Sequence, residues 1–235
     1  MLLVVLLVLH LLLLVQSTSK NKVVDDNHDS ILCKDCSVKS KTKENDDMLF
    51  MEWYVRNGGY IHPALKIDYF PHMGRGFRAE RRISEEEKLL YIPSSLIFSM
   101  KNLQTHMTIN NQLQVLSLLK TIIEVPENIL IAWLLIEQRN QTSFFQPYIN
   151  ILPSYIPSPI HFNDYELSEL QNTRLVVEVN EMKKGVDEDY HMFLDFYAQL
   201  RELVPHYQRH EVSREDYLWS ASMFNSRGLR FKGQV

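Results

Sequence analysis

The sequence predicts an α+β chain in which a short β-rich region precedes a longer helical one. Between Tyr60 and Met100, short apolar alternations are separated by Pro, Gly and acidic turns, a pattern typical of short, irregular strands. Beyond Met100 the apolar residues recur at helical spacing. Because 45% of the 235 residues are hydrophobic, the chain can bury a core.

The first residues have the pattern of a secretory leader. Leu2–Val15 is almost entirely apolar, and the small residues of Gln16–Ser19 could form a cleavage site. The apolar run is too short for a comfortable membrane span. We expect residues 1–19 to be a signal peptide or signal anchor, which favours the secretory pathway, with a cytoplasmic location as the alternative. Residues 20–47, rich in Lys, Asp, Asn and Ser, are expected to form a disordered linker.

The β-rich region opens with a helix. Met48–Tyr54 predicts a short amphipathic helix that ends at the Asn-Gly-Gly of residues 57–59, as many glycine-terminated helices do. Short strands are then expected at Leu65–Ile67, Phe77–Ala79 and Leu89–Ile92.

The helical region is predicted from apolar spacing and helix-start signals. One helix is expected within Leu103–Glu124, whose apolar face comprises Leu113, Leu116, Leu119, Ile122 and Ile123. Pro126 suits the first turn of a second helix that continues through Ile129–Gln138. Further helices are expected from a cap at Asn163 or Asp164, over Met192–Leu203, and from the capping-box pattern of Ser213–Asp216.

Two of the seven glycines, Gly74 and Gly76, stand one residue apart just before an apolar strand. Such a pair suggests a backbone that turns tightly or approaches another group closely. Nucleotide phosphate binding is set aside, because its fingerprints need a third glycine or a following Lys-Ser/Thr, and neither is present.

Several motifs follow one another in a fixed order. They are Phe50–Trp53 with Gly58-Gly59, Gly74–Ala79, Leu89–Pro93, Trp133–Glu137, Ser143–Ile149, Ile151–Pro153, and Trp219–Ser222 leading to Ser226-Arg227. In this order they resemble the SET-domain protein methyltransferases of the Rubisco large-subunit methyltransferase-like branch, over about Met48 to Lys232. The resemblance implies an irregular β-rich SET core at residues 48–99, a helical insert at 100–212 and a return to the core at 213–235.

The family's activity is the transfer of a methyl group from S-adenosylmethionine to a side-chain nitrogen of a protein. Such an enzyme must align the nitrogen lone pair with the methyl group while excluding water. The resemblance thus implies S-adenosylmethionine as cofactor and a protein as substrate. Lysine is the acceptor expected first, and histidine is the alternative because the branch includes both.

The resemblance also assigns roles to individual residues. The cofactor-binding set comprises Gly74, Arg75, Gly76, Glu87, Lys88, Leu89 and Arg227. Arg227 would reach the cofactor carboxylate and the substrate pocket, a role suited to a planar guanidinium, and Phe231 would line that pocket. Without the motif, Glu85–Glu87 would be interpreted as a solvated turn, Arg227 as a surface arginine and Phe231 as a core aromatic.

The family's Asn-His segment and its tyrosine near the reacting nitrogen come after the position of Arg227. The sequence ends at Val235, so we expect no catalytic residue within it, an incomplete core and a fragment with little activity of its own. The competing hypothesis is a non-catalytic protein-binding module.

Other chemistry has weak support. A formal net charge of -4 disfavours a general electrostatic grip on nucleic acid. No metal site is expected, since His206 and His210 lack a third ligand. Cys33 and Cys36 are expected to be exposed thiols or a local disulfide, and the Asn140 sequon matters only in the secretory pathway.

Overall fold

The computed structural model describes residues 3–6, 36–70, 74–107, 112–123, 125–170 and 173–231. The chain divides into two compact units. The hairpin unit is Val8–Ile97, and the helical unit is Met1–Leu7 with Phe98–Val235.

Helices and short strands combine in an α+β arrangement. The strands are β1 (Leu3–Leu6), β2 (Tyr60–Ile61), β3 (Leu65–Phe70), β4 (Gly74–Ala79), β5 (Leu90–Tyr91), β6 (Phe98–Ser99) and β7 (Gly228–Phe231). The helices are α1 (Cys36–Arg56), α2 (Met100–His106), α3 (Gln112–Ile122), α4 (Pro126–Gln138), α5 (Gln146–Asn150), α6 (Asp164–Glu169), α7 (Arg174–Leu203) and α8 (Arg214–Arg227). None of the described helices combines the length and apolarity needed to cross a bilayer.

The hairpin unit consists of α1 and two antiparallel strand pairs. Strand β3 pairs with β4 over their whole length, from Leu65 opposite Ala79 to Phe70 opposite Gly74. Strand β2 pairs with β5 through two residues only. Ladders this short have little independent stability, so other contacts must hold the strands in place.

The end of α1 is fixed by two glycines and a tyrosine. Gly58 has a φ of +87°, the left-handed conformation typical of a residue just past a helix end. A Cβ at Gly59 would lie 2.4 Å from the ring of Tyr54. That ring is buried, and its hydroxyl donates a hydrogen bond to the Tyr91 carbonyl at 2.7 Å. The β2–β5 pair is thereby tied to α1.

The prediction of a disordered linker through residue 47 is wrong for its last part. Helix α1 begins at Cys36, not at Met48. The physical reason is that no Gly or Pro interrupts the chain between Cys36 and Gly58, so the polar residues can continue the helix backwards. Residues 20–35, including Cys33, lie outside the described residues.

The helical unit carries a three-stranded antiparallel sheet in the order β6-β1-β7. Four residues of the predicted leader therefore form its central strand, pairing Leu6 with Phe98 and with Gly228. The remaining leader residues, including the predicted cleavage site, lie outside the described part of the chain.

The core of the helical unit is built around α4. Every residue from Asn128 to Glu137 is buried. The Trp133 ring stacks on Phe98 with centroids 3.7 Å apart and meets Phe145 edge-on. The hydroxyl of Ser220 in α8 donates to the carbonyl of Ile131 in α4 at 2.7 Å. A small residue and an internal hydrogen bond thus hold the two helices together.

Helix starts agree with their sequence signals, but one apolar face does not. Pro126 occupies the first turn of α4, and capping boxes form at Asn163 with Glu166 and at Ser213 with Asp216. The single helix predicted within Leu103–Glu124 is instead two helices, α2 and α3. Met107 ends α2 in extended backbone.

Leu113 was predicted to lie on the apolar face of that helix, and it is 82% exposed. It stands at the start of α3, whereas Leu116 and Leu119 one and two turns later are buried. Helical spacing places residues on one face but does not determine how far the covering neighbours extend.

Candidate functional site

The two paired glycines lie in strand β4 and not in a turn. Gly74, opposite Phe70, has a φ of +81°, which L side chains rarely adopt. A Cβ at Gly74 would have no described atom within 4 Å, so its requirement for glycine comes from the backbone angle and not from close approach. Gly76 is buried and pairs with Asp68.

Arg75, between the glycines, is engaged with α1. Its Nε lies 2.8 Å from Oδ1 of Asp47, and its guanidinium donates to the Tyr69 hydroxyl at 2.7 Å. Tyr69 in turn donates to Oδ2 of Asp47 at 3.0 Å. These contacts give the Arg75 side chain a structural function, which is to tie the β3–β4 hairpin to α1.

The acidic segment Glu85–Glu87 forms an ordered turn. The amide of Glu87 donates to the Ser84 carbonyl at 3.3 Å, and Glu86 at the third turn position has a φ of +68°. A glutamate in the left-handed region is strained, so surrounding contacts must hold the turn in this form. The hydrogen bonds that do so are made by the carboxylate of Glu87.

The Glu87 carboxylate accepts one hydrogen bond on each oxygen. The Ser84 amide donates to Oε1 at 2.7 Å, and Nε2 of His62 lies 2.8 Å from Oε2. The Ser84 amide and then the His62 ring lower the pKa of Glu87 to about 2. Its side chain remains 33% exposed. Glu87 is therefore an oriented, ionised carboxylate that solvent or a ligand can reach.

His62 is a site residue that the sequence patterns did not reveal. It is 5% exposed, and its Nδ1 accepts the Ala64 amide at 3.1 Å. Because Nδ1 is an acceptor, the proton of a neutral ring sits on Nε2 and is donated to Glu87. The His62 amide also donates to the Leu89 carbonyl at 2.8 Å. The only local signal was a histidine before a proline at a strand end.

The two residues after Glu87 differ in environment. Lys88 is exposed, and its Nζ lies 5.8 Å from the centroid of the Tyr91 ring. Leu89 is half-buried, and its carbonyl is held by His62 as described. Within the hairpin unit, the structure thus brings Glu87 and Leu89 together through one partner.

Arg227 and Phe231 belong to the helical unit. Arg227 ends α8, where its Nη1 donates to Ser226 Oγ at 2.7 Å. Burial raises the pKa of the Tyr148 hydroxyl to about 12, and the positive charge of Arg227 acts in the opposite direction. Phe231 ends β7 opposite Leu3, and its side chain lies outside the described atoms. The predicted cofactor residues are thus divided between the two units.

In the described ranges, no three His, Cys, Asp or Glu side chains are arranged to hold a metal ion. The Nε2 atom of His206 lies 3.2 Å from the Arg139 carbonyl. Glu87 offers a single ionised carboxylate with remaining lone pairs, which can hold a cationic or hydroxyl-bearing ligand.

Sequence comparison finds relatives among named methyltransferases. Actin-histidine N-methyltransferase of Papio anubis is 30% identical over 182 residues, which is 75% of this chain and 29% of that protein. The Homo sapiens protein of the same name is 29% identical over the same coverage. The chain therefore spans 29% of the length of these relatives. No protein-family model matches the chain.

Structure comparison finds the same fold in solved proteins. Rubisco LSMT bound to sinefungin and monomethyllysine superposes with a TM-score of 0.61 and 20% identity, covering 74% of this chain and 38% of that one. The SET domain of LSMT bound to lysine and AdoHcy gives a TM-score of 0.61 with 22% identity. These similarities show that the chain has the fold of this part of a SET domain.

Proposed function

Because this chain is similar in sequence to actin-histidine N-methyltransferases and shares the fold of the Rubisco LSMT SET domain, we propose that it belongs to the SET-domain proteins of the Rubisco large-subunit methyltransferase-like branch and carries the cofactor-binding part of a protein N-methyltransferase. The cofactor would be S-adenosylmethionine, and the substrate a protein. The observation that carries the proposal is Glu87, an oriented and ionised carboxylate in the segment to which the resemblance assigns the cofactor.

The charge of Glu87 suits the proposed ligand. S-adenosylmethionine supplies an electrophilic methyl group on a cationic sulfonium. A fixed carboxylate stabilises a nearby cation and orients hydroxyl groups, provided that it stays ionised. With its pKa lowered to about 2, Glu87 is ionised throughout the physiological pH range. Leu89 contributes backbone whose position is set by the His62 amide.

Arg227 would perform the complementary task of holding a carboxylate. A guanidinium forms two parallel hydrogen bonds to a carboxylate and so fixes its orientation. Arg227 directs Nη1 to Ser226 at the end of α8. That it holds the cofactor carboxylate is a prediction from the resemblance.

For the acceptor, the relatives favour histidine as the first to be tested. The sequence relatives named for histidine methylation are 29–30% identical, whereas the solved chains bound to lysine or monomethyllysine are 20–22% identical. Both acceptors present a neutral nitrogen lone pair when deprotonated, and the residues named for the cofactor do not choose between them. Lysine stays a prediction beside histidine.

Calorimetry with S-adenosylmethionine tests the cofactor proposal directly. We expect the wild-type chain to bind, and Glu87→Gln to bind about tenfold more weakly because a charge-assisted contact is removed. Glu85→Gln, in the same turn but exposed, is the matched control and should bind like the wild type. The absence of wild-type binding would contradict the proposal for this chain.

Turnover is tested separately with lysine- and histidine-containing peptides, read by mass spectrometry. A mass increase of one methyl group on one peptide series identifies the acceptor. Cofactor binding without methyl transfer would favour a chain that binds but does not catalyse.

We also propose that residues 1–19 direct the chain to the secretory pathway. The support is the apolar Leu2–Val15 run with small residues behind it. Fusion of residues 1–45 to a reporter measures this directly, and a cytosolic reporter would contradict it.

A further inference from the structure

One residue outside the predicted site contacts both ends of Glu87–Leu89, the segment predicted to bind the cofactor. The side chain of His62 contacts the Glu87 carboxylate, and its backbone amide contacts the Leu89 carbonyl. Glu87 and Leu89 are the two members of that segment on either side of Lys88. A single buried residue therefore sets the position of a side-chain oxygen and of a backbone carbonyl.

The His62 ring is itself held so that it can act as a donor. The Ala64 amide donates to Nδ1 at 3.1 Å. Because only 5% of the residue is exposed, the ring has little freedom to turn. The ring nitrogen facing Glu87 is therefore the protonated one. A hydrogen bond from a fixed donor restricts a carboxylate that is otherwise one-third exposed.

The surrounding turn needs such a restraint. Glu86 is in the left-handed region, and the β2–β5 ladder has only two residue pairs. Both features leave the Ser84–Leu89 segment with little stability of its own. The hydrogen bonds of His62 to Glu87 and Leu89 restrain this segment.

We propose that His62 is a positioning residue that orients Glu87 and Leu89 for cofactor binding. The inference rests on the proposed function for the cofactor itself, whereas the hydrogen-bond geometry does not depend on it. His62 acts through Glu87 and does not need to touch the ligand.

The first test does not need the cofactor. Nitrogen NMR of the imidazole groups in the full chain reports which ring nitrogen carries the proton, and the signal of His62 is identified by its loss in His62→Gln. We expect Nε2 to carry the proton and Nδ1 to be the acceptor, with a change in Glu87→Gln and none in Glu85→Gln. A proton on Nδ1 would overturn the inference.

The second test measures affinity for S-adenosylhomocysteine by calorimetry, with melting by circular dichroism in parallel. His62→Leu removes the donor, and we expect at least a tenfold loss of affinity; His62→Gln keeps a donor and should stay within about threefold of the wild type. Equal affinities of the Leu and Gln variants, whether both high or both low, would show that the donor is irrelevant and would overturn the inference.

Two outcomes need separate treatment. If His62→Leu does not fold, His62→Ala takes its place in the same comparison, and equal affinities of the Ala and Gln variants overturn the inference. If the wild-type chain binds no cofactor, the proposed function fails and with it the cofactor role of His62. The imidazole spectrum then still decides whether His62 donates to Glu87, so the two failures are distinguishable.

Discussion

Different kinds of contact stabilise the hairpin unit and the helical unit, each within itself. In the helical unit, α4 is buried over ten consecutive positions from Asn128 to Glu137, and aromatic rings pack around Trp133. In the hairpin unit, short ladders are fixed by polar contacts such as His62 with Glu87 and Arg75 with Asp47. The helical unit derives its stability from apolar burial. The hairpin unit derives a defined polar geometry from directional contacts.

Two glutamates show the contrast most directly. Glu137 is 1% exposed in the helical unit, and burial raises the pKa of its carboxyl despite hydrogen bonds from Ser143 and Trp133. Glu87 in the hairpin unit has its pKa lowered by hydrogen bonds from the Ser84 amide and His62. A carboxyl group in the apolar core is thus favoured in its neutral form, whereas one among fixed donors is favoured in its ionised form.

The largest effect is expected from Trp133→Ala. The substitution empties the centre of the helical core, removes the stack on Phe98 and leaves Glu137 without the Trp133 donor. We expect a loss of about 3–5 kcal/mol in the free energy of unfolding, measured by urea denaturation. Leu113→Ala, at an exposed position of α3, should stay within about 0.5 kcal/mol. A similar loss in both variants would contradict the contrast.

Gly59→Ala is expected to have the next largest effect, in the hairpin unit. The new Cβ would lie 2.4 Å from a ring that cannot retreat easily, because Tyr54 is buried and bonded to Tyr91. Overpacking of this kind costs about 1–3 kcal/mol. Thermal unfolding measures the loss, and a variant as stable as the wild type would show that the Tyr54 ring is mobile.

Gly185→Ala should change stability in the opposite direction. Gly185 lies inside α7, and a Cβ there would meet no described atom within 4 Å. Alanine in a helix interior is favoured over glycine by about 1 kcal/mol. We expect a raised melting temperature, and the variant is the matched control for Gly59→Ala. A lowered melting temperature would indicate a contact that the described atoms do not show.

The smallest effect on stability is expected from Glu87→Gln, because an exposed carboxylate is screened by solvent. The pKa of Glu87 in the folded chain is about 2, below the ordinary value of 4.5. Its ionised form therefore stabilises the folded chain above about pH 4.5, and that contribution is lost as the pH falls towards 2. We expect the stability difference between wild type and Glu87→Gln to shrink over this window in pH-dependent urea titrations.

Glu137→Gln provides the opposite slope. Because burial raises the pKa of Glu137 above 4.5, its contribution is fully present below that pH and is lost as the pH rises through the folded-state pKa. The stability difference between wild type and Glu137→Gln should therefore fall with increasing pH. Parallel slopes for the two variants would mean that the contrast between the units does not extend to their carboxylates.

Features that depend on neighbours a few residues away could be predicted from sequence. The capping box at Ser213 and Asp216 and the proline at the start of α4 are of this kind. The start of α1 could not be placed, because a polar helix without an apolar stripe has the same composition as a linker. The linker boundary was therefore set at residue 47 although the helix begins at Cys36.

The candidate site divides along the same line. Glu87 and Leu89 were predicted as cofactor residues from their place in the motif order, which is a local property of the chain. His62 was missed because its contact with Glu87 joins residues 25 positions apart, and no periodicity reports such a pair. Arg75 was predicted to bind the cofactor, and its side chain contacts Asp47 and Tyr69.

The residues of strand β1 are also part of the predicted leader. Leu3–Leu6 contributes the backbone that joins Phe98–Ser99 on one side to Gly228–Phe231 on the other. A peptidase that released the apolar head of the chain would leave these two flanking strands with no shared neighbour. Release of these residues as a leader would therefore remove the central strand of this three-stranded sheet.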